Sequence, residues 1–225
     1  MSDLRLVIFD VDGTLVDSQN HIVSGMEAAF AETGLTMPSR SDVLSIVGLS
    51  LPEAFGVLAP GASQAQNRQL VEAYKTSYMR LRSADAAASS PLYPGARAAL
   101  ERLKGDDHLL LGIATGKSRR GLDVLLEAHG LTGFFDNEQV ADHHPSKPHP
   151  SMLLASLSEL GVGAGHSVMV GDTAYDMEMA GAAGVAGLGV SWGYHPVERL
   201  QGAHAVIETF EAIDGAIRNI LEPVQ

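Results

Sequence analysis

Leu6-Val7-Ile8-Phe9-Asp10-Val11-Asp12-Gly13-Thr14 is the stretch on which the reading of this chain turns. Four apolar residues in a row suit a short strand buried on both faces of a parallel sheet, where no solvent-facing alternation is needed. The run ends abruptly in two carboxylates separated by one valine, followed by Gly-Thr. An apolar strand that delivers acidic groups to its carboxyl end is the usual way an open α/β sheet builds a ligand site.

Working outward, similar apolar runs recur at 109–114, 168–170 and 185–190, with a weaker one near 134–140. Helical patterns separate them at 95–104, 118–129, 151–160 and 176–183. Strand alternating with helix predicts an α/β fold with a doubly wound parallel-sheet, Rossmann-like core. One segment breaks the rhythm. Between about residues 18 and 88 there are helical patterns and no buried strand: Ile22, Met26, Ala29 and Phe30 make one apolar stripe, and Leu70, Tyr74, Tyr78 and Leu81 make another. Asp17 or Ser18 is placed to cap the first of these helices. The segment reads as a helical cap inserted at 17–89, with the core formed by 1–16 and 90–225. Ser89-Ser90-Pro91-Leu92-Tyr93-Pro94-Gly95, rich in turn formers, reads as a hinge at the way out.

Composition narrows the function. A chain of 225 residues, 45% hydrophobic and 19% charged, supports a folded core rather than disorder. The formal net charge of −12 repels nucleic acid and anionic lipid, so neither is expected as a partner. There is no cysteine, which removes disulfides, thiolate metal sites and a thiol nucleophile, and suits a cytoplasmic location. No apolar stretch approaches the ~20 residues of a membrane span.

The polar residues gather at the expected strand ends. Asp10, Asp12 and Gly13 close the first strand, Thr115-Gly116-Lys117 the second, and Gly171-Asp172 the fourth, with Asp176 four residues on; Lys147 lies in the loop after the third. Asp10, Asp12 and Asp172 offer the hard oxygens that Mg²⁺ prefers. A metal offsets the repulsion between a carboxylate and a phosphate, and so allows in-line attack by Asp10. Asp12 is placed to protonate the leaving oxygen and then activate water. Lys147 and Thr115, with the Gly13 and Gly116 amides, suit phosphoryl oxygens.

This ordered set resembles the haloacid dehalogenase-like hydrolase superfamily. The resemblance rests on Asp10-Val11-Asp12-Gly13-Thr14, Thr115, Lys147, and Gly171-Asp172 with Asp176, and spans most of the chain. It implies that Asp10 is the nucleophile and a metal ligand, and that Asp12 is the acid/base and gives its backbone carbonyl to the metal. It implies further that Thr115 and Lys147 bind phosphate, that Asp172 is the third metal ligand, and that Asp176 is a supporting carboxylate. Within the superfamily, 9–18, Leu92-Tyr93-Pro94-Gly95 and 169–183 resemble phosphoglycolate phosphatase-type enzymes with an α-helical cap. The implied function is Mg²⁺-dependent hydrolysis of a small phosphorylated metabolite through an aspartyl-phosphate. One departure stands out: many relatives carry Asn after the Thr, where this chain has Gly116.

Other residues have plainer readings. His143, His144 and His149 have the composition of a metal cluster, but read as a polar loop around Lys147. Lys117, Arg119 and Arg120 open a helix and read as a solvated face, with substrate steering as the alternative. Trp192-Gly193-Tyr194-His195 is a structural turn or a substrate contact. Gly48, in Ile46-Val47-Gly48-Leu49-Ser50, suits a cap loop over the site. Rival functions are a phosphosugar mutase or a pyrophosphatase of the same superfamily and, from another class, a phosphoacceptor signalling domain, against which the length and the insertion count.

Overall fold

The computed structural model describes residues 4–81 and 86–222. Six parallel strands form its sheet: β1 (Arg5–Phe9), β2 (Leu109–Thr115), β3 (Asn137–Val140), β4 (Ser167–Gly171), β5 (Ala186–Val190) and β6 (Ala205–Ile207), in the spatial order β3-β2-β1-β4-β5-β6. The expected doubly wound sheet is therefore present. It gains one edge strand, β6, that a three-residue segment with a single buried position does not announce.

Residues alternate between the two faces of β1. Val7 and Phe9 pack with α6 (Ala96–Lys104), α7 (Arg119–Ala128) and α10 (Ile213–Leu221). Leu6 and Ile8 face α8 (Ser151–Leu160) and α9 (Ala174–Ala183). All four are fully buried, which explains why the strand is apolar throughout rather than alternating.

Between β1 and α6 lie α1 (Gln19–Thr33), α2 (Arg40–Ser45), α3 (Leu51–Leu58), α4 (Gln64–Leu81) and α5 (Ala86–Ser89). The first four share a hydrophobic cluster of their own. Ile22, Met26 and Phe30 of α1 meet Leu70 and Tyr74 of α4, and Phe55 of α3 closes the cluster. The chain enters and leaves this helical unit through two adjacent segments bonded to each other. Asp17 N donates to Pro91 O, and Tyr93 N to Leu15 O, each at 2.9 Å.

The strand order reverses at β1 and β4. These neighbours pair from Leu6–Ser167 to Phe9–Val170, and Asp10 N continues the ladder to Val170 O at 2.9 Å. The carboxyl ends of β1 and β4 thus lie side by side, which brings Asp10 and Asp172 together across 162 residues of sequence.

Candidate active site

Asp10 sits one residue past β1 and is 1% exposed. Its Oδ1 accepts from Lys147 Nζ at 2.6 Å, and the same ammonium donates to Asp176 Oδ1 at 2.7 Å. Lys147 is fully enclosed. Burial alone would pull its pKa down, but the charges of Asp10 and Asp176 outweigh that and hold it above the ordinary value.

Asp172 follows β4. Its Oδ1 accepts from Thr14 Oγ1 at 2.9 Å, and its Oδ2 from Tyr194 N at 2.8 Å. Gly13, between the two site segments, has φ of +88°, and a Cβ there would come within 2.3 Å of Asp172 Oδ2. Only glycine lets β1's turn pass this close to the second carboxylate.

Asp176 holds two jobs at once. Its Oδ2 accepts from Thr173 Oγ1 at 2.7 Å and from Thr173 N at 3.1 Å, closing the capping box of α9. Its Oδ1 remains for Lys147. The helix-capping role and the site role are therefore compatible.

One carboxylate oxygen from each of Asp10, Asp172 and Asp176 lies within 4.8 Å of the other two. Three carboxylates face one ammonium, an excess of two negative charges in a buried place. The strain shows in the proton affinities. Burial first, with Asp176 and Asp12 adding, pushes Asp10 up to about 7 against the pull of Lys147. Burial, then Asp10 and Asp176, pushes Asp172 well above the usual carboxylate range. Among the described residues, Asp10 Oδ2 is a buried side-chain oxygen with no hydrogen-bond partner. A hard divalent cation fits this donor set: it would cancel the excess charge and satisfy the orphaned oxygen.

Asp12 stands apart from this trio. Its Oδ1 pairs with Lys117 Nζ at 2.8 Å and also accepts from Ser18 Oγ. Ser18 precedes α1 but makes no side-chain cap, its hydroxyl being turned to Asp12 instead; of the two expected caps it is Asp17 whose Oδ1 accepts from Gln19 N, at 3.3 Å. Lys117 is likewise not a solvated helix residue. Its side chain is 9% exposed, and it also donates to Tyr78 Oη of α4 at 3.1 Å. Burial opposes its charge, but Asp12 more than compensates and raises its pKa.

Thr115 is buried at the end of β2, and its Oγ1 accepts from Lys117 N at 3.2 Å. Gly116 faces the insertion. A Cβ on it would lie 2.7 Å from Gly48 O and 2.9 Å from Leu49 O, so the loop around Gly48 occupies the space an Asn would need. A cavity of about 860 Å³ lies between core and insertion, lined among others by Asp10, Asp12, Thr115, Lys117, Met26 and Tyr78. The seven site residues read from sequence all converge at this end of the sheet.

The turn after β5 is woven into the same place. Trp192 packs on Tyr93 and Phe210 and donates to Thr14 O at 3.1 Å. Tyr194 bonds Asp172 through its amide, and Ser18 N donates to its hydroxyl at 2.9 Å. His144 bonds Ser151 and Gln139, each at 2.8 Å, within the loop that carries Lys147. Thr14, Ser18 and Tyr194 stand in stretches that the sequence marks as a motif end, a cap candidate and a turn, but their bonds to Asp172 and Asp12 come only with the fold; Thr173 carries no site reading of its own.

A parallel sheet with carboxylates at its switch point, beside buried lysines and under a helical insertion, defines a hydrolytic or group-transfer enzyme of the α/β class. A family model described as haloacid dehalogenase-like hydrolase matches residues 7–190. The chain belongs to that family, and within it stands with the phosphatases. It is 37% identical over 222 residues to "Probable phosphatase IndB" of Dickeya dadantii (strain 3937), covering 96% of this chain and 95% of that one. It is 33% identical over 216 residues to a phosphoglycolate phosphatase of Rhodospirillum rubrum, covering 93% and 89%. A solved hydrolase from Pseudomonas syringae shares the fold with a TM-score of 0.83 at 24% identity, over 94% of this chain and 97% of that one.

Proposed function

We propose that this chain is a Mg²⁺-dependent phosphatase that moves the phosphoryl group of a small phosphomonoester first to Asp10 and then to water. The observation that carries the reading is the state of Asp10. One of its oxygens is fixed by Lys147, while the other is buried without a hydrogen-bond partner at the edge of the cavity. A carboxylate so placed is oriented yet unspent.

Asp10 attacks phosphorus as the bond to the leaving oxygen breaks, and Asp12 gives that oxygen a proton. Asp12 then takes a proton from water, whose oxygen attacks the phosphorus of the aspartyl-phosphate; Asp10 is released along with inorganic phosphate. Lys147, Thr115 and the amides of Gly13 and Gly116 bind the phosphoryl oxygens. Asp10, Asp172 and the Asp12 carbonyl would hold Mg²⁺, with Asp176 in support; the ion supplies charge neutralisation for the phosphoryl oxygens. Residues 17–89 act as a cap that excludes water and selects the leaving group. Phosphoglycolate is the leading substrate, on the resemblance and on the name of the Rhodospirillum rubrum relative. A chain without cysteine suits the cytoplasm, where we place it.

A relative from Oceanobacillus iheyensis, 26% identical over 202 residues, is named a pyrophosphatase, which keeps pyrophosphate as the second reading. A screen of phosphorylated metabolites and pyrophosphate, with and without Mg²⁺, tests both. Phosphate release that needs Mg²⁺ and vanishes in Asp10→Asn supports the proposal. Isomerised sugar phosphate without phosphate release points to a mutase, and a long-lived phosphoaspartate without turnover to a signalling domain.

A further inference from the structure

The turn after β5 reaches the site at two points. Gly193 runs so close to Asp172 that a Cβ on it would overlap that side chain. The next residue, Tyr194, donates its amide to Asp172 Oδ2 at 2.8 Å. Its side chain then leads away from Asp172 and packs against the hydrophobic cluster of the insertion. The hydroxyl ends at Ser18, the residue before α1, where it accepts from Ser18 N at 2.9 Å and lies 3.1 Å from Ser18 Oγ.

The direction of each bond follows from counting protons. Ser18 Oγ carries one, and it goes to Asp12 Oδ1, a carboxylate oxygen that also accepts from Lys117. In the bond between the two hydroxyls the donor is therefore Tyr194. The set runs one way: Ser18 N to Tyr194 Oη, Tyr194 Oη to Ser18 Oγ, Ser18 Oγ to Asp12 Oδ1. A serine hydroxyl on its own rotates freely among acceptors. Here its lone pair is engaged by Tyr194 and the residue is fully buried, so its proton stays aimed at Asp12.

Both donors to Asp12, Lys117 and Ser18, take Oδ1. Oδ2 is thus the oxygen left to exchange a proton across the cavity, which Asp12 lines. Tyr194 stands behind the cavity wall and not in it, so its hydroxyl reaches the reaction through Ser18 and Asp12.

Resting on the acid/base assignment of Asp12 above, we propose that Tyr194 is a positioning residue for proton transfer: through Ser18 its hydroxyl fixes Asp12 Oδ1, so that Oδ2 meets the leaving oxygen. Proton transfer needs its partners within hydrogen-bond reach, and a small misplacement of Asp12 costs rate at that step. The amide of the same residue holds Asp172, so one turn sets the two carboxylates relative to each other.

The test is a comparison of two leaving groups. Tyr194→Phe removes the hydroxyl and keeps the amide on Asp172. Ser18→Ala breaks the link from the other side and keeps the tyrosine hydroxyl as acceptor for the amide of residue 18. The two thus disturb different bonds, and circular dichroism monitors the folding of both. Each should lower kcat/KM on an alkyl phosphate by roughly fivefold, the worth of one neutral hydrogen bond. On nitrophenyl phosphate, whose leaving oxygen needs no proton, the loss should be less than about twofold. Added to Asp12→Asn, neither substitution should cost anything further on the alkyl phosphate. No loss on the alkyl phosphate, equal losses on the two substrates, or losses that add to that of Asp12→Asn overturn the proposal. Failure of the underlying reading appears separately, in Asp12→Asn alone, as equal losses on the two substrates.

Discussion

Asp10 and Asp12 lie two residues apart in one turn, yet each is held by its own enclosed lysine: Lys147 at 2.6 Å from Asp10 and Lys117 at 2.8 Å from Asp12. The intervening Val11 is fully buried. It anchors the turn while the two carboxylates face different company. Asp10 joins the trio with Asp172 and Asp176, and Asp12 faces the cap through Ser18 and Lys117. On the proposed mechanism, the division of labour between nucleophile and acid/base follows from backbone direction, without requiring different side chains.

Replacing the two should therefore have unequal effects. Asp10→Asn removes the attacking group, and kcat is expected to fall at least about 10⁴-fold, as with other nucleophile deletions. Asp12→Asn removes proton transfer alone, worth about 10²- to 10⁴-fold. The loss in Asp12→Asn should shrink for leaving groups of low pKa, which need no proton. Steady-state kinetics on an alkyl and a nitrophenyl phosphate measure both. Equal losses on both substrates in Asp12→Asn would remove it from the acid role.

Lys147 is the sole ammonium in contact with Asp10 and Asp176 among the described residues. Lys147→Met leaves two buried carboxylates facing each other unpaired. Breaking a buried pair from one side costs about 3–5 kcal/mol, and urea denaturation of the metal-free protein should show a loss of that order. A loss below about 1 kcal/mol would mean that the carboxylates escape the penalty by taking up protons.

Divalent metal should work in the opposite direction. Burial first, and then crowded charge, raises Asp10 and Asp172, and a bound cation offsets both by favouring the charged carboxylates. At one hundred times its dissociation constant a ligand specific to the folded state adds about 2.7 kcal/mol. For a chain of this size that is roughly 5–10 °C in Tm. Differential scanning fluorimetry with Mg²⁺, reversed by chelator, reads the shift. Asp172→Ala should lose most of it; an undiminished shift in that variant places the ion elsewhere.

Much of this arrangement is legible in the sequence, for a physical reason. A strand buried on both faces must be apolar throughout, so β1, β2 and β4 stand out, and the polar residues at their ends are conspicuous by contrast. β6 and α10 escaped notice. β6 is an edge strand of three residues with one buried position, and α10 follows it without any polar motif to mark it. The site residues themselves were readable as strand ends. Their partners were not, since Ser18 resembles an N-cap and Tyr194 a turn residue until the fold brings them to Asp12 and Asp172. Lys117 misled for a related reason. A basic residue just before a helix is ordinarily solvated, and only the insertion packed over it makes it buried.

Gly116 offers a direct test of how closely that insertion sits on the core. Its missing side chain leaves room for the carbonyls of Gly48 and Leu49. Gly116→Asn should push the loop away, with an overpacking cost of about 1–3 kcal/mol. The same displacement should raise KM more than it lowers kcat, because the loop lines the cavity that receives the substrate. Unchanged stability and KM would show that the loop shifts freely and that the cap is not held here.

His195 ties the other end of the cap to the core, and its charge state decides whether it can. Ala174 N donates to its Nδ1 at 3.0 Å, so the proton resides on Nε2, which donates to Ser45 O at 2.9 Å. Only the neutral ring satisfies both backbone groups; protonating Nδ1 would aim one N–H at another. Burial, the largest influence, holds its pKa below the ordinary 6.5, with Arg199 adding in the same direction. The unfolded chain therefore takes up this proton at a higher pH than the folded one. The stability that the link contributes is complete above about pH 6.5 and is lost as pH falls below it toward the folded-state value. Between pH 7 and 5 the wild type is expected to lose more unfolding free energy than His195→Gln, which cannot titrate. Parallel losses in the two proteins, measured by urea denaturation across that range, would show that the neutral ring is no part of what holds α2 against α9.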